Sequence, residues 1–344
     1  MRPEEGARAV LAPFFIMEDV MGFELNISEP EEKTLLHPES NGGTEQLYRE
    51  LKTRIDPELF QKFNIIPSRV RDEMFDDRPT ILWLHDLPED PESAMLANAE
   101  YRKKFDKIVF VSNWQRDAYS RVLGIPLDEG VVIKNAIEPI MDPRPEREEG
   151  SKTRLTYFST PHRGLSILYP ALHALSNHRD DFEVDIYSSF ELYGWKDNDK
   201  AFEDVFGALD SLDCVTLHGT VDNDTIRQNL LTTDILAYPC IFQETSCRVL
   251  IESMCAGLLP VIPNYGALTE TGTDYCFMYD WSSDAQTHIE HFAGALNNAM
   301  DAYKMPFYQS LLKMQRNHYQ YFYSWDLRAS QWSQLLTSML EETD

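Results

Sequence analysis

The chain is poor in basic residues and contains no apolar run long enough to cross a bilayer. Its 31 lysines and arginines are outnumbered by 57 aspartates and glutamates, so the net charge is −26. An acidic chain of this kind is repelled by nucleic acid and by an anionic membrane surface. We therefore expect neither a nucleic-acid partner nor association with a membrane.

Cysteine pairs and targeting segments are also missing. The five cysteines form no CxxC pair, and they stand mostly in apolar segments. Their odd number and their positions indicate reduced, mostly buried thiols. The amino-terminal residues lack the basic start and the long apolar core of a secretion signal. These features predict a cytoplasmic protein.

Several common catalytic patterns do not occur. The sequence has no Gly-x-Ser-x-Gly, Walker or Gly-x-Gly-x-x-Gly motif and no zinc-ligand spacing. In the polar turn Asp222–Asp224, the second aspartate is interpreted as a helix N-cap rather than a metal ligand. His288 and His291 lie three residues apart without an evident third ligand, so we expect them to be solvated. We predict no metal site.

What the chain does contain is an alternation of apolar runs and helical patterns. With 344 residues it is long enough for two domains, and strands alternating with helices predict parallel sheets of an α/β fold. The predicted strands are Ala9–Phe15, Phe63–Pro67, Thr80–Leu84, Lys107–Val111, Val131–Ile133, Arg154–Phe158, Glu183–Tyr187, Val215–His218, Ile235–Tyr238 and Leu259–Ile262. The predicted helices are Thr44–Arg54, Asp90–Phe105, Trp114–Leu123, Ile167–Leu175, Asp224–Thr232 and Arg248–Cys255, with a helical pattern over residues 285–343.

The segment Asn135–Gly150 is rich in proline and charge, and we interpret it as a linker between two doubly wound halves. Ligands bind beyond the carboxyl ends of the strands in such halves, so two halves facing each other would hold a ligand in the cleft between them. We predict an amino-terminal domain over residues 1–145, a carboxyl-terminal domain over 146–322 and a final helical segment over 323–344.

The segment Phe242–Glu270 is the most informative part of the chain. It has the pattern of a loop, a helix, a turn, a strand and a second loop, with Glu244 before the helix and Glu252 about two turns inside it. The unpaired N–H groups at a helix N-terminus bind anions, and carboxylates bind hydroxyls. This combination suits a nucleotide-sugar. The alternative is an ordinary amphipathic helix with two surface glutamates.

Three other places carry residues suited to ligand binding. Gly42 and Gly43 precede a helix and can bring backbone N–H groups against a phosphate or a sugar, although a flexible turn is the alternative. His85 ends a buried strand, where ligands bind in an α/β domain, unless it is a structural histidine. Arg163 stands at a helix start and can pair with a diphosphate, unless it is a surface arginine.

The Phe242–Glu270 segment resembles the E-x7-E signature of the family-4 retaining glycosyltransferases, which have the GT-B fold. The residues that fit are Glu244, Val249, Leu250, Ile251, Glu252, Ala256, Gly257, Pro260 and Val261. The usual Gly-Phe-Gly turn is replaced by Thr245, Ser246 and Cys247. Gly42–Glu45 is similar to the Gly-Gly-x-Glu loop of the same family.

The resemblance extends to two further segments. Arg163–Gly164 takes the place of the family's Lys-Gly, while Tyr157 occupies the position of the upstream arginine, and Arg248 could compensate for that missing cation. His218–Val221 resembles the turn that packs against the nucleobase.

The resemblance implies a GT-B fold of two Rossmann-like domains, with a last helix that crosses back onto the first domain. It also implies a retaining, metal-independent transfer of a hexose from a UDP- or GDP-linked sugar to a hydroxyl of a glycan or other soluble acceptor, with no cofactor. The implied catalytic residues are Glu244, His85 and Arg163. The implied donor-binding residues are Gly42, Gly43, Ser159, His162, Gly219, Thr245, Ser246, Cys247, Arg248, Val249 and Glu252.

Two other functions stay open at this stage. One is a nucleotide-sugar hydrolase or epimerase on the same fold. The other is a non-catalytic nucleotide-sugar-binding module, which the Thr245–Cys247 turn and the tyrosine at position 157 favour.

Overall fold

The computed structural model describes residues 43–148 and 150–342, which form two α/β domains, each built on a parallel sheet. The predicted strand Ala9–Phe15 and the predicted donor-binding residue Gly42 lie outside the described residues. Within the described part of the chain, no helix combines the length and the apolar character needed to cross a membrane.

The first domain has a sheet of four parallel strands in the order β1-β2-β3-β4. Side chains alternate along β2, so Ile81 and Trp83 enter the core beneath one face, and Leu82 and Leu84 enter the core on the other face. The strands are β1 Asn64–Pro67, β2 Thr80–Leu84, β3 Lys107–Phe110 and β4 Gly130–Val132. The helices are α1 Gly43–Arg54, α2 Pro57–Phe60, α3 Ala99–Arg102 and α4 Asn113–Leu123.

The second domain has a sheet of six parallel strands in the order β10-β9-β8-β5-β6-β7. The strand order reverses between β5 and β8, and a crevice forms at such a reversal because the chain leaves the two strands in opposite directions. The strands are β5 Thr153–Phe158, β6 Phe182–Tyr187, β7 Val215–Leu217, β8 Ile235–Ala237, β9 Leu259–Pro263 and β10 Phe277–Tyr279. The helices are α5 Leu165–Ser176, α6 Glu203–Asp210, α7 Asn223–Leu230, α8 Arg248–Ala256, α9 Leu268–Gly272 and α10 Ala285–Tyr303.

The observed elements depart from the predicted ones at a few places. The predicted helix Asp90–Phe105 is instead a 3-10 helix over Pro91–Ala97 followed by α3. The break has a local cause, because Asn98 accepts a hydrogen bond from the N–H of Glu100 and so starts a new helix. The strand β10 and the helix α6 were not predicted.

Two long helices complete the chain, α11 Pro306–Phe322 and α12 Trp325–Glu341. Trp325, Trp332 and Leu336 of α12 are buried in the core of the first domain together with Leu47 and Leu51 of α1. The last helix therefore packs on the first domain although it follows the second in sequence. The domain boundaries at residues 145 and 322 stay predictions.

The middle of the segment Asn135–Gly150 is hydrogen-bonded to the second domain. Arg144 donates to the carbonyl oxygens of Leu230 and Ala256, at 3.1 and 3.0 Å. Arg316 of α11 donates to the carbonyl oxygen of Ile140 at 2.8 Å. The proline-rich composition thus marks a connection that is held by hydrogen bonds to its backbone and side chains.

Candidate functional site

The centre of the site is an ion pair at the point where the order of strands reverses. Arg163 ends the 3-10 helix that follows β5, and Glu244 lies in the loop that follows β8. Because β5 and β8 are neighbours, these loops meet, and Nη1 of Arg163 contacts Oε1 of Glu244. Residues 81 positions apart are thereby joined at the carboxyl edge of the sheet.

Glu244 is a buried carboxylate whose charge is well compensated. Its exposed fraction is 8%, and the hydroxyl of Tyr238 donates to Oε1 at 2.8 Å. Burial, with smaller effects from Cys240 and Glu244, raises the pKa of Tyr238 well above its ordinary value, so the phenol stays protonated as a donor. The guanidinium of Arg163 also lies 4.2 Å from the centre of the Phe242 ring, which holds the cation in place.

Gly266 lets two loops approach each other closely behind Glu244. It has a φ of +59°, and a Cβ at this position would lie 2.9 Å from the backbone N and O of Glu244. The N–H of Ala267 donates to the carbonyl oxygen of Glu244 at 2.8 Å. The backbone that carries the carboxylate is thus held by a close approach that a residue other than glycine would obstruct. Tyr238, Phe242 and Gly266 were not among the predicted site residues.

The N-terminus of α8 faces the first domain. Cys247 is the N-cap residue, and its own side chain makes no capping hydrogen bond. Arg248, the first residue of α8, donates from Nη2 to Oε1 of Glu252 at 3.2 Å and from Nη1 to Oε1 of Gln46 in α1 at 2.7 Å. Its Nε is buried without a hydrogen-bond partner among the described residues. A Cβ on Gly43 would lie 3.7 Å from Cδ of Arg248, so Gly43 borders the same place.

The Thr245–Cys247 turn connects the two domains. The hydroxyl of Thr245 donates to the carbonyl oxygen of His85 at 2.7 Å, and the hydroxyl of Ser112 donates to the carbonyl oxygen of Thr245 at 2.7 Å. Thr245, Ser246 and Val249 are partly exposed, whereas Cys247 is buried. Thr245 therefore has a structural use that a glycine could not supply, since its side-chain oxygen makes one of these contacts.

Two histidines at the site are held in the neutral form. His85 packs its ring against Trp83 with centroids 4.6 Å apart, and its Nε2 is buried without a partner in the described part of the chain. Burial and the cation of Arg248 lower the pKa of His85 to about 3. His162 stacks on Phe190, and burial together with Arg163 lowers the pKa of His162 to about 3. Both rings are therefore uncharged hydrogen-bonding groups near neutral pH.

Other predicted residues lie further from the ion pair. Ser159 is partly exposed just after β5 and four residues before Arg163, whereas Gly219 is exposed after β7, the edge strand two places from β5. Among the described residues, no hydrogen bond joins Gly219 to Glu244. Tyr157 is buried, and its hydroxyl donates to the carbonyl oxygen of Thr160 at 2.8 Å, so this position supplies no cation.

Two minor predictions are wrong. The N-cap of α7 is Asp222 and not Asp224, because Asp222 precedes the first turn and accepts from the N–H of Thr225 at 2.7 Å. His288 is buried with an exposed fraction of 1%, and its Nε2 is 2.8 Å from the hydroxyl of Tyr279. It is buried because α10 lies against the sheet.

Among residues 43–148 and 150–342, no three His, Cys, Asp or Glu side chains are grouped closely enough to hold a metal ion.

Similar solved structures are glycosyltransferases. A glycosyltransferase from Rickettsia africae is 17% identical over 89% of this chain and 84% of its own, with a TM-score of 0.66. HepE from Anabaena in complex with UDP and glucose is 14% identical over 87% of this chain and 84% of its own, with a TM-score of 0.62. A sucrose-phosphate synthase from Thermosynechococcus elongatus is 15% identical over 78% and 70%, with a TM-score of 0.60.

At these identities the likeness shows the fold. The two parallel-sheet domains match those of the neighbours, which confirms the predicted GT-B architecture. No protein-family model matches the chain, and no curated protein matches it in sequence.

Proposed function

We propose that the protein is a retaining glycosyltransferase that moves a hexose from a UDP- or GDP-linked sugar to a hydroxyl of a saccharide or glycan acceptor in the cytoplasm. The proposal rests on one observation above all: the Arg163–Glu244 pair lies at the reversal of strand order, and Glu244 is three residues before the N-cap of α8. A cation, a helix N-terminus and a carboxylate there supply groups for a diphosphate and for a sugar.

The diphosphate would bind between Arg163 and the N–H groups of the first turn of α8. A guanidinium has five N–H donors, so Arg163 can contact a phosphate while it still contacts Glu244. The buried Nε of Arg248, which has no partner among the described residues, is a further donor at this end of the helix. It would replace the cation that Tyr157 does not provide.

The sugar and the ribose would be held by the carboxylates. Glu244 would accept hydrogen bonds from hydroxyls of the hexose, and Glu252 would accept them from the ribose. Neutral His85 would contact the hexose from the first domain. The remaining donor contacts are assigned as the resemblance implies to Gly42, Gly43, Ser159, His162, Gly219 and residues 245–249.

The reaction would proceed on one face of the sugar. The bond between the anomeric carbon and the diphosphate oxygen breaks, and a bond from the same carbon to the acceptor oxygen forms on that face. The leaving phosphate takes the acceptor proton. Negative charge grows on that phosphate, and Arg163 with the α8 N–H groups would stabilise it without a metal, each donor contributing roughly 3–4 kcal/mol.

The central test is Glu244→Gln, which keeps the shape of the side chain and removes its charge. We expect transfer to fall about 100-fold or more while circular dichroism shows the fold intact, because hydroxyl contacts that orient the sugar are lost.

Glu252→Gln should mainly raise the KM for the donor. Wild-type transfer should continue in a chelator. Full activity of Glu244→Gln contradicts the assigned role of Glu244, and a strict metal requirement contradicts the metal-free scheme.

Two alternatives have specific support. A hydrolase or epimerase is compatible with the same donor site, and rapid turnover of a nucleotide-sugar without an acceptor would favour it. A non-catalytic binding module is favoured by Thr245, whose hydroxyl is engaged between the domains, and by the tyrosine at position 157. Calorimetry with a panel of UDP- and GDP-sugars tests that alternative, since binding without any turnover is its signature.

A further inference from the structure

Helix α11 carries a row of apolar and aromatic side chains on its surface. Phe307, Met314 and Tyr321 have exposed fractions of 69%, 63% and 71%. Leu311 is partly exposed and His318 is exposed on the same helix. Here these five residues are called the α11 stripe. Large apolar side chains that stay this exposed in a well-packed protein mark an interaction site.

The spacing of the α11 stripe is that of a helix-pairing surface. Successive members are separated by four, three, four and three residues, so they follow one line along the helix. A separate side of α11 packs on the second domain, and its residues Leu312, Gln315 and Tyr319 are buried there. The stripe is therefore a second apolar line, beside the line that holds α11 to its own domain.

Charge favours a second copy of the chain as the occupant. The chain carries a net charge of −26, so most of its surface repels another copy. Helix α11 contains no Asp or Glu, and Ser310 and Asn317 beside the stripe are uncharged. The two cations of the helix, Lys313 and Arg316, stand off the line of the stripe, and Arg316 turns inward to the carbonyl oxygen of Ile140. Two copies can approach here without bringing carboxylates of the two helices together.

The exposed area of the stripe is also large enough for a specific dimer interface. The five residues of the stripe expose on the order of 500 Å² together, and Phe307, Met314 and Tyr321 contribute most of it. Burying this surface in both copies would remove about 1,000 Å² from water, at the lower end of specific interfaces. Neighbouring polar contacts would extend it.

We propose that two copies of this chain associate through the α11 stripe, with their α11 helices antiparallel about a two-fold axis at Met314. Phe307 and Tyr321 are each seven residues from Met314, so such an axis places Phe307 of one copy beside Tyr321 of the other. This inference does not depend on the proposed function.

The test is sedimentation equilibrium of the full chain over a wide concentration range. The wild type should show a monomer–dimer equilibrium, and Met314→Lys should weaken it about tenfold or more, because a charge would be buried at the axis. Met141→Lys is the matched control, since Met141 is 73% exposed and lies outside α11. It should leave the equilibrium unchanged. A monomeric wild type, or equal effects of both variants, overturns the proposal.

Salt dependence distinguishes a second copy from other occupants. Because two acidic bodies repel each other, added salt should strengthen the dimer by screening. Association that weakens with salt would contradict the proposal. A wild type that stays monomeric but sediments with phosphatidylserine-containing vesicles would assign the stripe to a membrane surface instead.

In a second test, Met314→Cys should form a disulfide-linked dimer under mild oxidation, and Met141→Cys should not.

Discussion

Gly266 shows how one residue can control the position of a functional carboxylate. Its φ of +59° and the 2.9 Å from its hypothetical Cβ to the backbone of Glu244 leave no room for a side chain. We expect Gly266→Ala to lower kcat/KM for transfer about tenfold or more, because the loop that holds Glu244 must shift.

A second glycine provides the control for this substitution. Gly124 has a similar φ of +68°, but its hypothetical Cβ meets nothing within 4 Å. Gly124→Ala should therefore cost about 1 kcal/mol of stability for the backbone conformation and leave transfer unchanged. Equal activity losses in both variants would show that the close approach to Glu244 is irrelevant. The measurements are steady-state kinetics and urea unfolding.

The buried ring of His162 should make the stability of the protein depend on pH. Its pKa is about 3 in the folded protein, whereas a histidine in an unfolded chain titrates near 6.5. Between these values the unfolded state binds a proton that the folded state does not, so this residue makes stability fall as the pH decreases from about 6.5 towards 3.

The effect is measured as a difference between variants, because many carboxylates titrate over the same range. The free energy of unfolding should fall less between pH 7 and pH 5 in His162→Phe than in the wild type. In the wild type, the NMR signals of His162 and His85 should not titrate near pH 6.5. A midpoint near 6.5 for either ring would mean that its burial does not suppress protonation.

At the scale of elements, the N-terminus of α4 is capped by a residue of the other domain. Glu270 of α9 accepts from the N–H groups of Asn113 and Trp114 at 3.1 and 2.7 Å, and pairs with Lys134 at 2.5 Å. Burial opposes its ionisation, but Lys134 and the two N–H groups lower the pKa of Glu270 overall. A helix N-terminus in the first domain is thus stabilised by a charge from the second.

We expect Glu270→Gln to destabilise the protein by about 1–2 kcal/mol, since charge at a helix N-terminus and an ion pair are lost together. Glu100→Gln is the control, because the Glu100–Lys103 pair is on the surface with exposed fractions of 76% and 70%. Its removal should cost less than about 0.5 kcal/mol. Urea unfolding at neutral pH compares the two, and equal costs would show that Glu270 acts as an ordinary surface charge.

At the scale of the whole molecule, the end of the chain completes the core of its beginning. Trp332 of α12 has an exposed fraction of 1% and packs edge-on against Trp83 of β2, with centroids 5.0 Å apart. Trp332→Ala should therefore destabilise the protein by roughly 3–5 kcal/mol. Trp195→Ala is the control, since Trp195 is 39% exposed. Similar losses of thermal stability in both variants would contradict the structural role of α12.

Much of the architecture was predictable because it rests on local chemistry. Apolar runs such as Ile81–Leu84 are buried on both faces of a parallel sheet, so they are visible without a partner strand. The helix Arg248–Ala256 was predicted to within one residue, because Gly257 ends it in the left-handed conformation. The order of elements and the two doubly wound halves follow from these repeated signals, whereas the GT-B fold was implied by the resemblance of the Phe242–Glu270 segment to a known family.

Other features were decided only by tertiary structure. That Arg163 contacts Glu244 follows from the adjacency of β5 and β8, which pair although β6 and β7 lie between them in sequence. The burial of His288, the cap supplied by Glu270 and the use of Thr245 between domains depend on which elements meet. Sequence patterns report what each segment needs to bury or to pair, whereas the identity of the partner depends on how distant segments fold together.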